Sequence, residues 1–152
     1  NMAFSLVDRV LPSVADEKVS RYLKLLGLED FQYAYPAQLS GGMAQRVAIG
    51  RTLCFDPDII LMDEPFGALD YFTRKRLQQE IVDLFLEQKK TIVFVTHDVA
   101  EAVYLGQRVI VMEEGEIIKE IPIDMLYYRE PDSKEFLSVQ SQILSILSGN
   151  KR

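Results

Sequence analysis

An adjacent pair of carboxylates, Asp63-Glu64, closes the apolar run Ile59-Ile60-Leu61-Met62. Successive residues of a strand point to opposite faces, so two acids at a strand end cannot share one role. Upstream lies Leu39-Ser40-Gly41-Gly42-Met43-Ala44-Gln45-Arg46-Val47-Ala48. Ser40 can cap a helix whose first residues are two glycines with bare backbone. The N–H groups and dipole of such a helix start are aimed at an anion. Downstream, Thr91-Ile92-Val93-Phe94-Val95 runs into Thr96-His97-Asp98, and His97 is the only histidine. A phosphate cradle beside carboxylates that can hold Mg²⁺ and polarise water is the equipment of nucleotide hydrolysis. Each piece alone has a plainer reading: a simple cap, a solvated acidic turn, a structural histidine. Their combination in one short chain favours the chemistry.

The elements that must position these groups follow from periodicity and breakers. Apolar residues at Val19, Tyr22, Leu23, Leu25 and Leu26 predict an amphipathic helix over 14–26, stopped by Gly27. Tyr33 to Pro36 reads as an irregular link. The helix capped by Ser40 should run from Gly41 to Phe55, with Met43, Val47, Gly50 and Cys54 on one face, until Asp56-Pro57-Asp58 breaks it. Ile59 to Asp63 reads as a strand covered on both faces. Pro65 to Asp70 is a turn in which Asp70 can cap the next helix, 71–88, with Leu77, Ile81, Leu84, Phe85 and Gln88 on one stripe. Thr91 to Val95 is a second buried strand, and a short helix over 98–105 follows His97. Strand 108–112 and strand 116–120 form a hairpin about Glu114-Gly115 and would add an antiparallel edge to a mainly parallel sheet. Asp132 with Glu135 looks like a capping box opening a last helix, with Phe136, Leu137, Gln140, Ile143, Leu144 and Leu147 at helical spacing. The class is α/β. A boundary is expected near Phe55 to Asp58, giving segments 1–55, 56–128 and 129–152.

The chain has 152 residues, 48% hydrophobic and 26% charged, ordinary for one globular domain. A net charge of −6 argues against nucleic acid as the main partner. One cysteine, Cys54, excludes an internal disulfide and a multi-cysteine zinc site. It reads as a small buried residue. No apolar run reaches the roughly 18 residues of a membrane span, and the N-terminus does not read as a signal peptide. Arg74-Lys75-Arg76 reads as a solvated helix face.

Together the segments quoted above resemble the signature motif, Walker B strand, D-loop and H-loop of the ATP-binding cassette (ABC) ATPases. The resemblance implies a P-loop NTPase-like core with a helical signature subdomain. It makes Asp63 the Mg²⁺ carboxylate, acting through water, and Glu64 the general base. His97 contacts the γ-phosphate. Ser40, Gly41, Gly42 and Met43 read the γ-phosphate of ATP held by an opposite subunit, and Gly67-Ala68-Leu69-Asp70 is the D-loop, so Asp70 reaches the dimer interface. Met43 departs from the commoner Gln and matches a subgroup of importers.

No G-x-x-x-x-G-K-[ST] pattern occurs, and none of the eight glycines precedes a lysine. That pattern supplies most phosphate contacts and a Mg²⁺ ligand. The opening Asn1-Met2-Ala3-Phe4-Ser5-Leu6 looks like the segment after the family's glutamine loop. The chain therefore resembles roughly the C-terminal two-thirds of a cassette domain, judged by motif order. ATP and Mg²⁺ should bind weakly or not at all without the P-loop, and the isolated chain is expected to be inactive.

Glu64 to Asp70, Thr96 to Ala102 and the tail Glu130-Pro131-Asp132-Ser133-Lys134-Glu135-Phe136 look like nitrate/sulfonate/taurine-type bacterial importers. This implies a second ATPase subunit and membrane permease subunits as partners, no nucleic acid, no insertion into the membrane, and a cytoplasmic place at its inner face. Tyr33 and Tyr35 are the candidates for an exposed permease groove; Tyr22 and Phe31 could equally be core. Two other readings stand beside this one. Cassette ATPases of DNA repair and chromosome maintenance carry zinc-binding cysteines or long heptad arms, which this chain lacks. An inert folded scaffold is the other.

Overall fold

The computed structural model describes residues 2–6 and 11–149; Asn1 and 150–152, the ends of the first and last expected segments, lie outside them. The chain divides into two compact units, one through Val95 and one from Thr96.

The first unit begins with a 3-10 turn, Met2–Leu6, and helix α1, Pro12–Leu25. Short 3-10 turns at Glu29–Phe31 and Pro36–Gln38 lead to α2, Gly41–Phe55. Then come strand β1, Ile59–Asp63, helix α3, Tyr71–Gln88, and strand β2, Thr91–Val95. The bounds of all four elements α2, β1, α3 and β2 coincide with the expected ones, and local caps and breakers at Ser40, Asp56 and Asp70 set several of them. Ser40 Oγ accepts from Met43 N at 3.3 Å. Asp70 Oδ1 accepts from Thr73 N at 3.0 Å. At the C-terminus of α2 the backbone of Asp56 is left-handed, φ 59°. Its carboxylate is held by Lys90 at 2.8 Å and Lys18 at 3.1 Å. The Lys90 and Lys18 ammoniums hold that carboxyl below the usual range. Arg21 on α1 pairs with the largely buried Glu80 on α3 at 2.6 Å. Tyr22 is buried, and burial pushes its phenol up to about 12. Cys54 is fully buried, as expected, and its thiol is raised to about 11 by the same cause.

β1 and β2 pair in parallel, register Ile59↔Thr91 through Asp63↔Val95, so both C-terminal ends lie at one edge. The expectation that these strands are covered on both faces fails. Ile60 is buried, and Met62, Ile92 and Phe94 are partly so. On the opposite face Ile59, Leu61, Val93 and Val95 are 61%, 73%, 51% and 59% exposed. Among the described residues no element covers that face. A continuous apolar run calls for two covers, and the local pattern cannot say whether both are supplied. Gln88, placed on the buried stripe of α3 by its spacing, is exposed in the last helical turn.

The second unit holds helix α4, Val99–Leu105, strands β3, Arg108–Glu113, and β4, Glu116–Pro122, and helix α5, Lys134–Gly149. β3 and β4 pair antiparallel about a turn in which Glu114 and Gly115 both have positive φ, the backbone a two-residue hairpin favours. The hairpin forms a separate two-stranded sheet instead of adding an edge to β1–β2. Val103, Val109, Val111, Ile121, Ile123, Phe136 and Ile143 form its core. Each of the larger side chains contributes about 1.5–3 kcal/mol on burial. α5 is capped by Ser133, whose Oγ accepts from Phe136 N at 3.2 Å, and not by Asp132. The cap must lie three residues before its N–H partner, which shifts the start by one residue. Of the apolar residues expected on this helix, Phe136 and Ile143 are buried, whereas Leu137, Leu144 and Leu147 are exposed.

Candidate active site

In the first unit the helix start of α2 lies against the segment that follows β1. Ser40 and Gly41 are exposed, and Gly42 and Met43 are partly buried. A Cβ added to Gly42 would stand 3.0 Å from the carbonyl oxygen of Ala68. That approach favours glycine here: the helix start and the Gly67-Ala68 turn lie so close that a side chain would have to push the Ala68 carbonyl aside. Ser40 Oγ serves as acceptor for Met43 N–H, which leaves its hydroxyl proton as a donor.

Asp63 ends β1 on the open face, in line with Ile59 and Leu61, and is exposed. Glu64 stands beyond the strand and is partly buried. Its φ of 45° puts a residue with a full side chain in the left-handed region, where such a residue is uncommon. The Glu64 N–H donates to Val95 O at 2.9 Å, extending the parallel ladder. The Glu64 carbonyl accepts from Gly67 N at 3.4 Å and from Gln45 Nε2 at 3.0 Å. Pro65, Phe66 and Leu69 turn inward; Phe66 is 1% exposed and meets Phe94 edge-on at 6.5 Å. The acidic pair therefore ends on a turn anchored from below by apolar side chains. Asp70, exposed, closes the turn and caps α3. Its carboxyl is lowered, chiefly by the hydrogen bond from Thr73.

His97 belongs to the second unit and is exposed. The turn that carries it is braced on both sides. Thr96 Oγ1 donates to Glu101 Oε2 at 2.8 Å and accepts from Asp98 N at 3.1 Å. Asp98 Oδ1 accepts from Ala100 N at 2.8 Å and Glu101 N at 3.2 Å, capping α4. Arg129 closes the other end of α4. Its guanidinium is buried and donates to Val103 O and Gly106 O, both at 2.6 Å, and to Met125 O at 3.0 Å. It also stacks on Tyr127 at 4.4 Å. Sequence reasoning missed Gln45, Glu101 and Arg129 as supports. Only Gln45 carried a signal, its place one helical turn after Gly41-Gly42.

Among the described residues no three His, Cys, Asp or Glu side chains converge as a metal site. Magnesium in nucleotide sites is held through one or two carboxylates together with phosphates and waters. An exposed strand-end carboxylate at Asp63 fits that partial share. Tyr33 and Tyr35 are 89% and 76% exposed, Phe31 is 45% exposed, and Tyr22 is core. Among the described residues no helix is long and apolar enough to cross a membrane.

In the first unit a glycine-started helix lies against the turn that follows an acid-tipped strand of a parallel pair. A sequence profile of the ABC transporter family matches residues 3–67. An uncharacterised ABC transporter ATP-binding protein of Methanocaldococcus jannaschii is 49% identical over 97% of this chain and 56% of its own length. The aliphatic sulfonates import ATP-binding protein of Bacillus subtilis is 43% identical over 85% of this chain and 51% of its own. Among solved structures, a dimeric ATP-binding cassette in a post-hydrolysis state with ADP and Pi superposes with a TM-score of 0.69 at 38% identity. That alignment covers 77% of this chain and 50% of the other. The chain belongs to the ABC transporter ATP-binding family. It spans about half the length of the curated relatives it matches.

Proposed function

We propose that this chain forms the signature, Walker B, D-loop and H-loop part of an ATP-hydrolysing subunit that energises import of a small solute through a membrane permease. The observation that carries this reading is the docking of the α2 helix start, at Gly42, onto the turn that follows Asp63 and Glu64. One side of that junction suits a phosphate, and the other ends in two acids with different surroundings. The sulfonate-import relatives support an importer over the cassette proteins of DNA repair.

The division of labour follows from position. The free N–H groups at the start of α2 and the Ser40 hydroxyl bind the γ-phosphate of a nucleotide held by a second cassette, with Met43 beside them. Asp63, exposed at the strand end, would hold magnesium through water, and the ion would supply neutralisation of phosphate charge when bound with ATP. Glu64 takes the proton of the attacking water as general base. His97, exposed on its braced turn in the second unit, is the residue suited to hydrogen-bond a nucleotide γ-phosphate. Asp70 and the turn before it lie at the contact between the two cassettes. The open apolar face of β1–β2 is where the rest of a cassette, including its P-loop, would pack. The chain alone therefore lacks turnover, and the subunit sits at the inner membrane face through its permease. Tyr33 and Tyr35 are the exposed aromatics suited to that contact. Segments 1–55, 56–128 and 129–152 are the signature subdomain, the core portion and the C-terminal helix.

The test is Gly42→Asp in a complete cassette carrying this sequence. It places a carboxylate where an anion should bind and a side chain against Ala68. ATP-dependent association of cassettes and turnover should both be lost. Retention of both would remove the phosphate role of the α2 start.

A further inference from the structure

We propose that Gln45 is a positioning residue for Glu64, and that it locks the phosphate-facing start of α2 to the strand end that bears the base. This role rests on the proposed role of Glu64 as general base and deepens it.

The peptide at Glu64 needs an external hold. Its left-handed backbone is unfavourable for a residue with a side chain, and such conformations persist only where the surroundings over-determine them. Hydrogen bonds hold the backbone on both sides of Glu64: Glu64 N to Val95 O, Gly67 N to Glu64 O, and Gln45 Nε2 to Glu64 O. The Gly67 bond, at 3.4 Å, is long, and it lies within the turn itself. The Val95 bond holds the N–H side alone. Gln45, at 3.0 Å, is the shorter hold on the carbonyl and comes from another element. That carbonyl sets the plane of the peptide leading to Pro65, and so where the Glu64 side chain starts.

Helix geometry makes the same residue a link. Gln45 follows Gly42 by three positions and Gly41 by four, which puts all three on one face of α2. That face meets the 64–68 segment twice, Gly42 at the carbonyl of Ala68 and Gln45 at the carbonyl of Glu64. Two contacts fix both the distance and the rotation of the helix against the turn; one would leave a pivot. In a pair of cassettes, the α2 start serves one nucleotide and Glu64 of the same chain serves the other. Gln45 thus ties one nucleotide site to the next within a single chain.

The experiment has two readouts. In the chain itself, the one-bond Cα–Hα coupling at Glu64 distinguishes positive from negative φ by NMR. Gln45→Met, which keeps the length and removes the donor, should shift that coupling toward negative φ. Gln45→Lys, which keeps a donor on a flexible stem, should restore it. In a complete cassette, Gln45→Met should lower kcat by roughly ten- to hundred-fold, the scale of a misplaced catalytic group. KM for ATP should stay within about twofold, because ground-state binding is untouched. Gln45→Lys should recover most of kcat. In a Glu64→Gln background, Gln45→Met should cause no further loss, since residues acting through one another are not additive.

An unchanged coupling at Glu64 in folded Gln45→Met overturns the positioning role. Multiplicative losses in the double variant, or a loss that Gln45→Lys does not repair, overturn it as well. Near-normal turnover in Glu64→Gln alone would instead defeat the assignment of Glu64 as base, and the coupling then decides whether Gln45 sets its backbone.

Discussion

The peptide at Glu64 is held by groups distant in sequence, among them Gln45, 19 residues back. The turn that carries His97 is held by groups no more than five residues away: Thr96, Asp98 and Glu101. The left-handed backbone at Glu64 costs about 1–3 kcal/mol, and the assembled first unit must supply that. At His97 there is no such strain to offset; a side-chain bridge and a helix cap form as soon as α4 does. One candidate catalytic group therefore depends on tertiary packing and the other on local hydrogen bonding. If Glu64 is the base, its non-local setting can be switched by moving a helix. A phosphate contact at His97, built into a capped turn, could not be switched so easily.

The largest expected effect on the local side comes from Thr96. Thr96→Val keeps the β-branch but removes the hydroxyl that bridges Asp98 N–H and the buried Glu101 carboxylate. Depriving a buried carboxylate of a donor should cost about 1–3 kcal/mol, read by urea unfolding. Thr96→Ser should stay near wild type. The lone imidazole signal of His97 should broaden or split in the valine variant alone. Equal stability of the two variants would mean that the turn does not depend on the bridge.

A smaller effect, which sharpens the comparison, lies at Asp70, the local cap just after the non-local Glu64 turn. Its carboxyl is lowered in the folded chain by the Thr73 hydrogen bond. Below an unfolded value of about 3.9 the unfolded chain binds the proton first. The cap's contribution is thus present above that value and fades as the pH falls through the lower folded value. Asp70→Ala should destabilise the chain at neutral pH, and the difference from wild type should vanish in strong acid. A difference that persists there would show the side chain acting by something other than its charge.

Much of the fold was legible because its boundaries are local. Ser40, Asp56-Pro57-Asp58 and Asp70 each start or stop an element through bonds to near neighbours, and α2, β1, α3 and β2 fell where those residues put them. What escaped depends on distant partners. The open face at Leu61 and Val93 is written in the same letters as a covered one. Ser133 and Asp132 are both good caps, and only the helix phase chooses between them. Arg129, alone in a loop, has no periodicity to reveal that it closes the C-terminus of α4. In the site, the pieces were legible as motifs, and the Ser40 cap as a local bond. The tie from Gln45 to Glu64 was not, since a glutamine on a helix face gives no sign of which carbonyl it will meet.

The most direct measurement is ATP turnover and ATP-dependent association in a complete cassette carrying Glu64→Gln. The amide keeps the size of the side chain and removes the base. Turnover should fall by about two to four orders of magnitude, while cassettes still associate with ATP. Turnover near that of the unsubstituted cassette would contradict the account, because the strained, braced peptide at Glu64 would then be holding something other than the base.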